Sequence, residues 1–124
     1  MNHINARVKE IQSMDNLSIV EFEAQEQSLK MMALDLNFPV KTGSKVTLGV
    51  KASNIALAKE FSGVISISNQ LDCKVESIDK GELLCSIRLS FNGEILESFT
   101  TVQSAEQMNL CAGERVIALI KASE

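Results

Sequence analysis

The chain has 124 residues, 45% of them hydrophobic and 23% charged, with one Pro and six Gly. That composition belongs to a packed globular protein and excludes disordered, collagen-like and low-complexity classes. A formal charge of −4, with no Trp, no Tyr and five Phe, excludes a global field for nucleic acid or anionic lipid and leaves few platforms for stacking bases.

At the start, Met1 to Asn5 carries neither a basic nor an apolar leader, and no apolar run approaches membrane-spanning length. The cytoplasm is therefore the expected compartment. Ile4, Ala6 and Val8 alternate, the period of a half-buried strand. Asp15-Asn16 reads as a turn, and Leu17 to Phe22 switches face after Ile19, which predicts a bulge there. Met31 and Met32 fall on opposite faces of a strand, so they form no cofactor box. Asp35 to Pro39 predicts a tight turn, and Val46, Leu48 and Val50 alternate again before Lys51-Ala52-Ser53. Asn54 to Ala58 predicts a further strand, Lys59 to Gly63 a linker, and Val64 to Ser68 another apolar alternation. Leu71, Cys73 and Val75 follow, then a turn at Lys80-Gly81 and the alternating run Leu83, Cys85, Ile87, Leu89 and Phe91. Asn92-Gly93 before Ile95-Leu96 is a two-residue hairpin signal, because both positions accept positive φ. Ser104-Ala105-Glu106-Gln107 predicts a helical turn capped by Ser104. Val116, Ala118 and Ile120 predict the last strand, followed by Lys121-Ala122-Ser123 and Glu124.

Three widely spaced cysteines, Cys73, Cys85 and Cys111, and one lone His3 predict buried free thiols and a surface histidine. They predict neither a disulfide framework nor a zinc site. No nucleophile triad, phosphate loop or paired-carboxylate motif is present, so no enzyme is expected.

The chain repeats itself. Gly43 to Ser53 aligns with Gly113 to Ser123 at an offset of 70, with Gly, Val, Lys, Ala and Ser identical at matching places. Nearer the start of each copy, Asn2, Val8 and Ile11 align with Asn69, Val75 and Ile78 at an offset of 67. The second copy thus carries three extra residues in the connection that holds the predicted helix. The expected division is residues 1–60 and 61–124, each a few short strands plus a helical turn on the plan of a small barrel. Units this small bury little core alone and should lean on each other.

Ser66-Ile67-Ser68-Asn69-Gln70-Leu71 resembles the "SARNQL" opening of the TOBE domain in its Mop form, with Ser68 where the family carries Arg. Thr101 to Gly113 is similar to the family's "TxxSAxxLGLxxG", and Ile120-Lys121-Ala122-Ser123 to its closing "IKAS". Two such domains in tandem resemble the molbindins. The resemblance implies a mainly β fold of two tandem OB-like barrels, and oxyanion sites between domains that take molybdate or tungstate, with no covalent cofactor.

The chemistry on offer suits such a ligand. Molybdate is a tetrahedral dianion whose oxygens accept and never donate at neutral pH, so its site needs converging N–H and O–H groups. Lys-Ala-Ser supplies an ammonium, a small residue that lets backbone amides approach, and a hydroxyl. Carried over residue by residue, the resemblance points to Lys51, Ala52 and Ser53, to Lys121, Ala122 and Ser123, and to Ser66, Asn69, Asn2, Thr101 and Ser104. The expected function is a cytoplasmic molybdate- or tungstate-binding protein for storage or homeostasis. The alternative is an interaction or sensing module that partners a molybdate transporter ATPase or a regulator. Residues 54–68 occur once, outside the repeat, and are expected to pack on another copy within or between chains. A homo-oligomer, dimer or trimer, follows as an expectation.

Overall fold

The computed structural model describes residues 1–36 and 40–123. Among these residues, nine strands form two sheets. The first contains β1 (Asn2–Met14), β2 (Leu17–Ala24), β3 (Gln27–Leu34) and β4 (Lys45–Val50), in the order β3-β2-β1-β4. The second contains β5 (Ala56–Ala58), β6 (Asn69–Lys80), β7 (Leu84–Phe91), β8 (Glu94–Thr101) and β9 (Arg115–Ile120), in the order β5-β9-β6-β7-β8. A 3-10 turn spans Ala52–Asn54, and one short helix, α1, spans Val102–Gln107.

The two sheets are copies of one design. The long first strand of each serves two partners in succession: Asn2 to Arg7 pair with β4, and Arg7 to Met14 pair with β2. In the second copy Asn69 to Lys74 pair with β9, and Lys74 to Lys80 with β7. Each long strand passes from one partner to the next across a register shift, at Val8/Glu10 in β1 and Val75/Ser77 in β6. An extra residue at that point bends the strand and increases its twist, which curls each sheet toward a half-barrel. The first-copy bulge predicted within Leu17 to Phe22 therefore lies instead in β1. β2 keeps its alternation with Ser18, Val20, Phe22 and Ala24 buried. Ser18 can occupy an inward position because its hydroxyl hydrogen-bonds that of Ser13 at 3.0 Å.

The alternating runs form the core. Ile4, Val8, Leu71, Cys73, Val75, Cys85, Ile87, Leu89, Phe91, Val116, Ala118 and Ile120 are all buried. Leu83 is not among them; β7 begins at Leu84 and Leu83 is exposed. Asn92 and Gly93 adopt positive φ of 49° and 83° and close the β7–β8 hairpin as predicted. The matching β2–β3 hairpin turns at Gln25, φ 57°, where no Gly or Asn announces it. The tight turn predicted at Asp35 to Pro39 falls largely on residues 37–39, outside the described residues, as does Glu124.

The once-only segment behaves differently from its sequence pattern. The strand predicted for Asn54 to Ala58 shortens to Ala56–Ala58, because Ala52–Asn54 wind into the 3-10 turn. Val64 to Ser68 form no strand, and Val64 and Ile65 are exposed. β5 crosses from the first copy to the second and pairs antiparallel with β9. Packing of this segment on another copy within the chain is thus observed.

Candidate functional site

The two Lys-Ala-Ser turns are each docked on the opposite unit. In the first, Asn54 N–H donates to the Lys51 carbonyl at 2.9 Å and closes the 3-10 turn. The next residue, Ile55, is buried, and its carbonyl accepts the Ser98 hydroxyl of β8 at 2.6 Å. In the second, the Ala122 carbonyl accepts Met32 N–H of β3 at 2.9 Å. Each turn is therefore held by the third strand of the other copy.

This exchange builds an open cleft of about 450 Å³ whose lining includes Ser53, Asn54, Thr100, Ser104 and Lys121. Ser53 comes from the first Lys-Ala-Ser and Lys121 from the second. Ser104 lies on α1, and Ile67, Phe99 and Leu119 supply apolar wall. Among the described residues no carboxylate lines the cleft. An ammonium and three hydroxyls without an opposing acid constitute a donor set for an anion.

The helix that carries Ser104 starts one turn earlier than the sequence predicts. Thr101 is its N-cap: the Thr101 Oγ1 accepts Ser104 N–H at 3.0 Å and donates to the Ser104 Oγ at 2.9 Å. Ser104 is thus the residue whose amide is capped, and its hydroxyl stays beside the cleft. The earlier start follows from Thr101 having the extended backbone, φ −71° and ψ 150°, that an N-cap adopts.

Asn2 and Asn69 occupy equivalent places and make equivalent contacts. Asn69 Nδ2 donates to the Lys30 carbonyl at 2.9 Å, and its Oδ1 accepts Lys30 N–H at 2.6 Å. Asn2 Nδ2 donates to the Glu97 carbonyl at 2.7 Å, and its Oδ1 accepts Glu97 N–H at 2.8 Å. With exposures of 8% and 4%, the two side chains are clamps across the unit boundary. Each amide nitrogen retains one further hydrogen. Lys51 and Ser123 are exposed, Ala52 and Ala122 half-buried, and Ser66 lies on the exposed segment before β6. Of the eleven residues expected at the site, the cleft gathers Ser53, Ser104 and Lys121.

Sequence reasoning missed Asn54, Thr100 and Lys59. Asn54 directly follows the Lys-Ala-Ser signal, whereas Thr100 carries none. Lys59, read as linker, closes the exit of β5. Its ammonium donates to the carbonyls of Met108 and Asn109 at 3.1 and 2.9 Å and meets Glu114 at 3.0 Å. Glu114 also accepts Cys111 N–H at 2.7 Å. That backbone hydrogen bond, and then the Lys59 ammonium, hold the Glu114 carboxyl below its ordinary range. Cys73 and Cys85 are buried as expected, and burial pushes the Cys73 thiol up to about 11. Cys111 departs from the expectation of buried thiols and is exposed. Among the described residues no cluster of three or more His, Cys, Asp or Glu is placed to hold a metal ion.

Known proteins fit this architecture. The TOBE domain model matches residues 65–124. The molybdenum import ATP-binding protein ModC of Brucella abortus is 33% identical over 84 residues, covering 67% of this chain and 23% of that protein. The molybdate/tungstate import ATP-binding protein WtpC of Pyrococcus horikoshii is 32% identical over 107 residues, covering 86% of this chain and 30% of that protein. The chain therefore spans less than a third of the length of these curated relatives. A crystal structure of the cytoplasmic molybdate-binding protein ModG, with molybdate bound, superposes with a TM-score of 0.92 at 23% identity. That match covers 98% of this chain and 91% of the other, so the two-unit fold is shared almost end to end. The match to the TOBE domain model identifies residues 65–124 as a TOBE domain, and the first unit is built to the same plan.

Proposed function

We propose that the protein binds a tetrahedral metal oxyanion, molybdate or tungstate, in the cleft between Ser53 and Lys121. One observation carries the reading: donors from both Lys-Ala-Ser copies and from α1 line one cleft that holds no carboxylate among the described residues. The names of the import proteins and of the molybdate-bound structure that this chain resembles support the same ligand class. Binding is non-catalytic and serves storage or homeostasis in the cytoplasm. Lys121 and Ser53 are exposed in the single chain, so a bound dianion would remain partly hydrated there. Self-association, as a dimer or trimer, would cover the mouth and strengthen every donor by excluding water.

A second reading rests on a separate observation. Sequence similarity extends to import ATP-binding proteins of which the chain matches less than a third. In that reading the chain is an interaction or sensing module for a transporter ATPase or a regulator.

Calorimetric titration with molybdate, tungstate and sulfate separates the two. The first reading expects micromolar binding of molybdate or tungstate, weakened at least tenfold in Lys121→Ala/Ser123→Ala. No heat with either metal oxyanion, together with capture of an ATPase independent of oxyanion, supports the module.

A further inference from the structure

The two units differ at one edge. In the second unit the outer edge of β9 is paired with β5, Ala56 opposite Leu119, Leu57 opposite Ala118 and Ala58 opposite Ile117. Ile55, immediately before β5, is sealed in with 2% exposure. In the first unit the equivalent strand, β4, ends its sheet, and among the described residues no strand pairs with its outer side. The consequence shows in burial at matched positions. Val116 and Ala118 of β9 are fully buried, whereas Val46 and Leu48 of β4, at the offset of 70, are only half-buried. Beside β4 lies an apolar groove of about 430 Å³ walled by Ile4, Phe22, Leu29 and Leu48, and bounded by Asn69 and Ile120 of the second unit. It is thus continuous with the interface between the units. An edge strand with an apolar groove beside it is a template for adding a strand.

The chain carries a segment of the right pattern. β5 and the residue before it read Ile55-Ala56-Leu57-Ala58, apolar and small in alternation, and Ile65-Ser66-Ile67-Ser68 repeats that alternation. This second segment is in neither strand nor helix, and Val64 beside it is 99% exposed. Within its own chain Ile67 lines the other cleft, beside Ser53 and Lys121, and the segment runs directly into β6.

We propose that the β4 edge receives residues 65–68 of a second copy of this chain, as β9 receives β5. Ile65 takes the place of Ile55, Ile67 that of Leu57, and the strand pairs antiparallel with Thr47, Leu48 and Gly49. Alternation then turns Ser66 and Ser68 away from the groove. The arrangement specifies the partner and contact for the self-association proposed above and rests on that reading; it does not depend on oxyanion binding.

The test is the mass in solution of the full chain at tens of micromolar, by light scattering after size-exclusion chromatography, for wild type, Ile65→Asp and Leu48→Lys. Both variants are checked for native circular dichroism. The proposal expects an assembled wild type and two folded variants whose association weakens at least tenfold. A mixture of the two variants should reassociate, because each retains the half the other lacks. An assembled wild type with an equally assembled Ile65→Asp overturns the strand addition while leaving self-association standing. A monomeric, well-folded wild type overturns both. Should Leu48→Lys fail to fold, Ile65→Asp decides alone, since that side chain is outside the core.

Discussion

Asn2 and Asn69 show how a residue can be located by repeat spacing while its task stays hidden. The offset of 67 marks both, and a side-chain amide suits an oxyanion as well as it suits a backbone. What decides their geometry is the backbone of Glu97 and Lys30, 95 and 39 residues away, to which each amide both donates and accepts. No local pattern reports a partner at that distance. Truncating Asn69 to Ala removes two hydrogen bonds to the Lys30 backbone, each worth about 0.5–1.5 kcal/mol, a total of about 1–3 kcal/mol. Urea denaturation of Asn69→Ala should show a loss of that size. An unchanged midpoint would show that water replaces the clamp. Ser104 and Thr101 make the opposite case, since sequence chose the right helix but the wrong cap. Thr101→Ala should lose about 1 kcal/mol of stability as an N-cap does, and Ser104→Ala much less. Equal losses in the same denaturation series would restore Ser104 as the structural residue.

Among elements, the strands with uninterrupted alternation were legible, since Leu71 to Val75 and Cys85 to Phe91 face a single core. The bulges were not, because a register shift depends on pairing with β2 or β7 and leaves no mark on either strand alone. Ile65 to Ser68 alternates as a strand would, yet among the described residues no strand pairs with it. β5 is held at its exit by Lys59, which ties it to the end of α1 and to Glu114. The Glu114 carboxyl lies below its ordinary range in the folded chain, so it binds a proton less readily folded than unfolded. Its contribution is complete above the unfolded pKa and is lost as pH falls through the folded one. Hydrogen-exchange protection of β5, measured relative to intrinsic exchange at each pH, should therefore fall on acidification below the ordinary carboxyl range, and Lys59→Met should lower it already at pH 7. Exchange in Lys59→Met indistinguishable from wild type at neutral pH would mean that β5 is held by its pairing with β9 alone.

At the scale of the molecule, duplication is the feature the sequence displays most plainly, and exchange between the copies is the feature it conceals. Two copies of Lys-Ala-Ser suggest two sites. The fold instead sends each turn onto the other unit, so that Ser53 and Lys121 share one cleft. Under the proposed function the two residues act on the same ligand. A double-mutant cycle on molybdate affinity with Ser53→Ala, Lys121→Ala and the pair, each titrated calorimetrically, tests it most directly. Residues serving one ligand couple, so the double variant should lose clearly less than the product of the two single losses. Strictly multiplicative losses, or molybdate binding untouched by either substitution, would contradict the shared cleft.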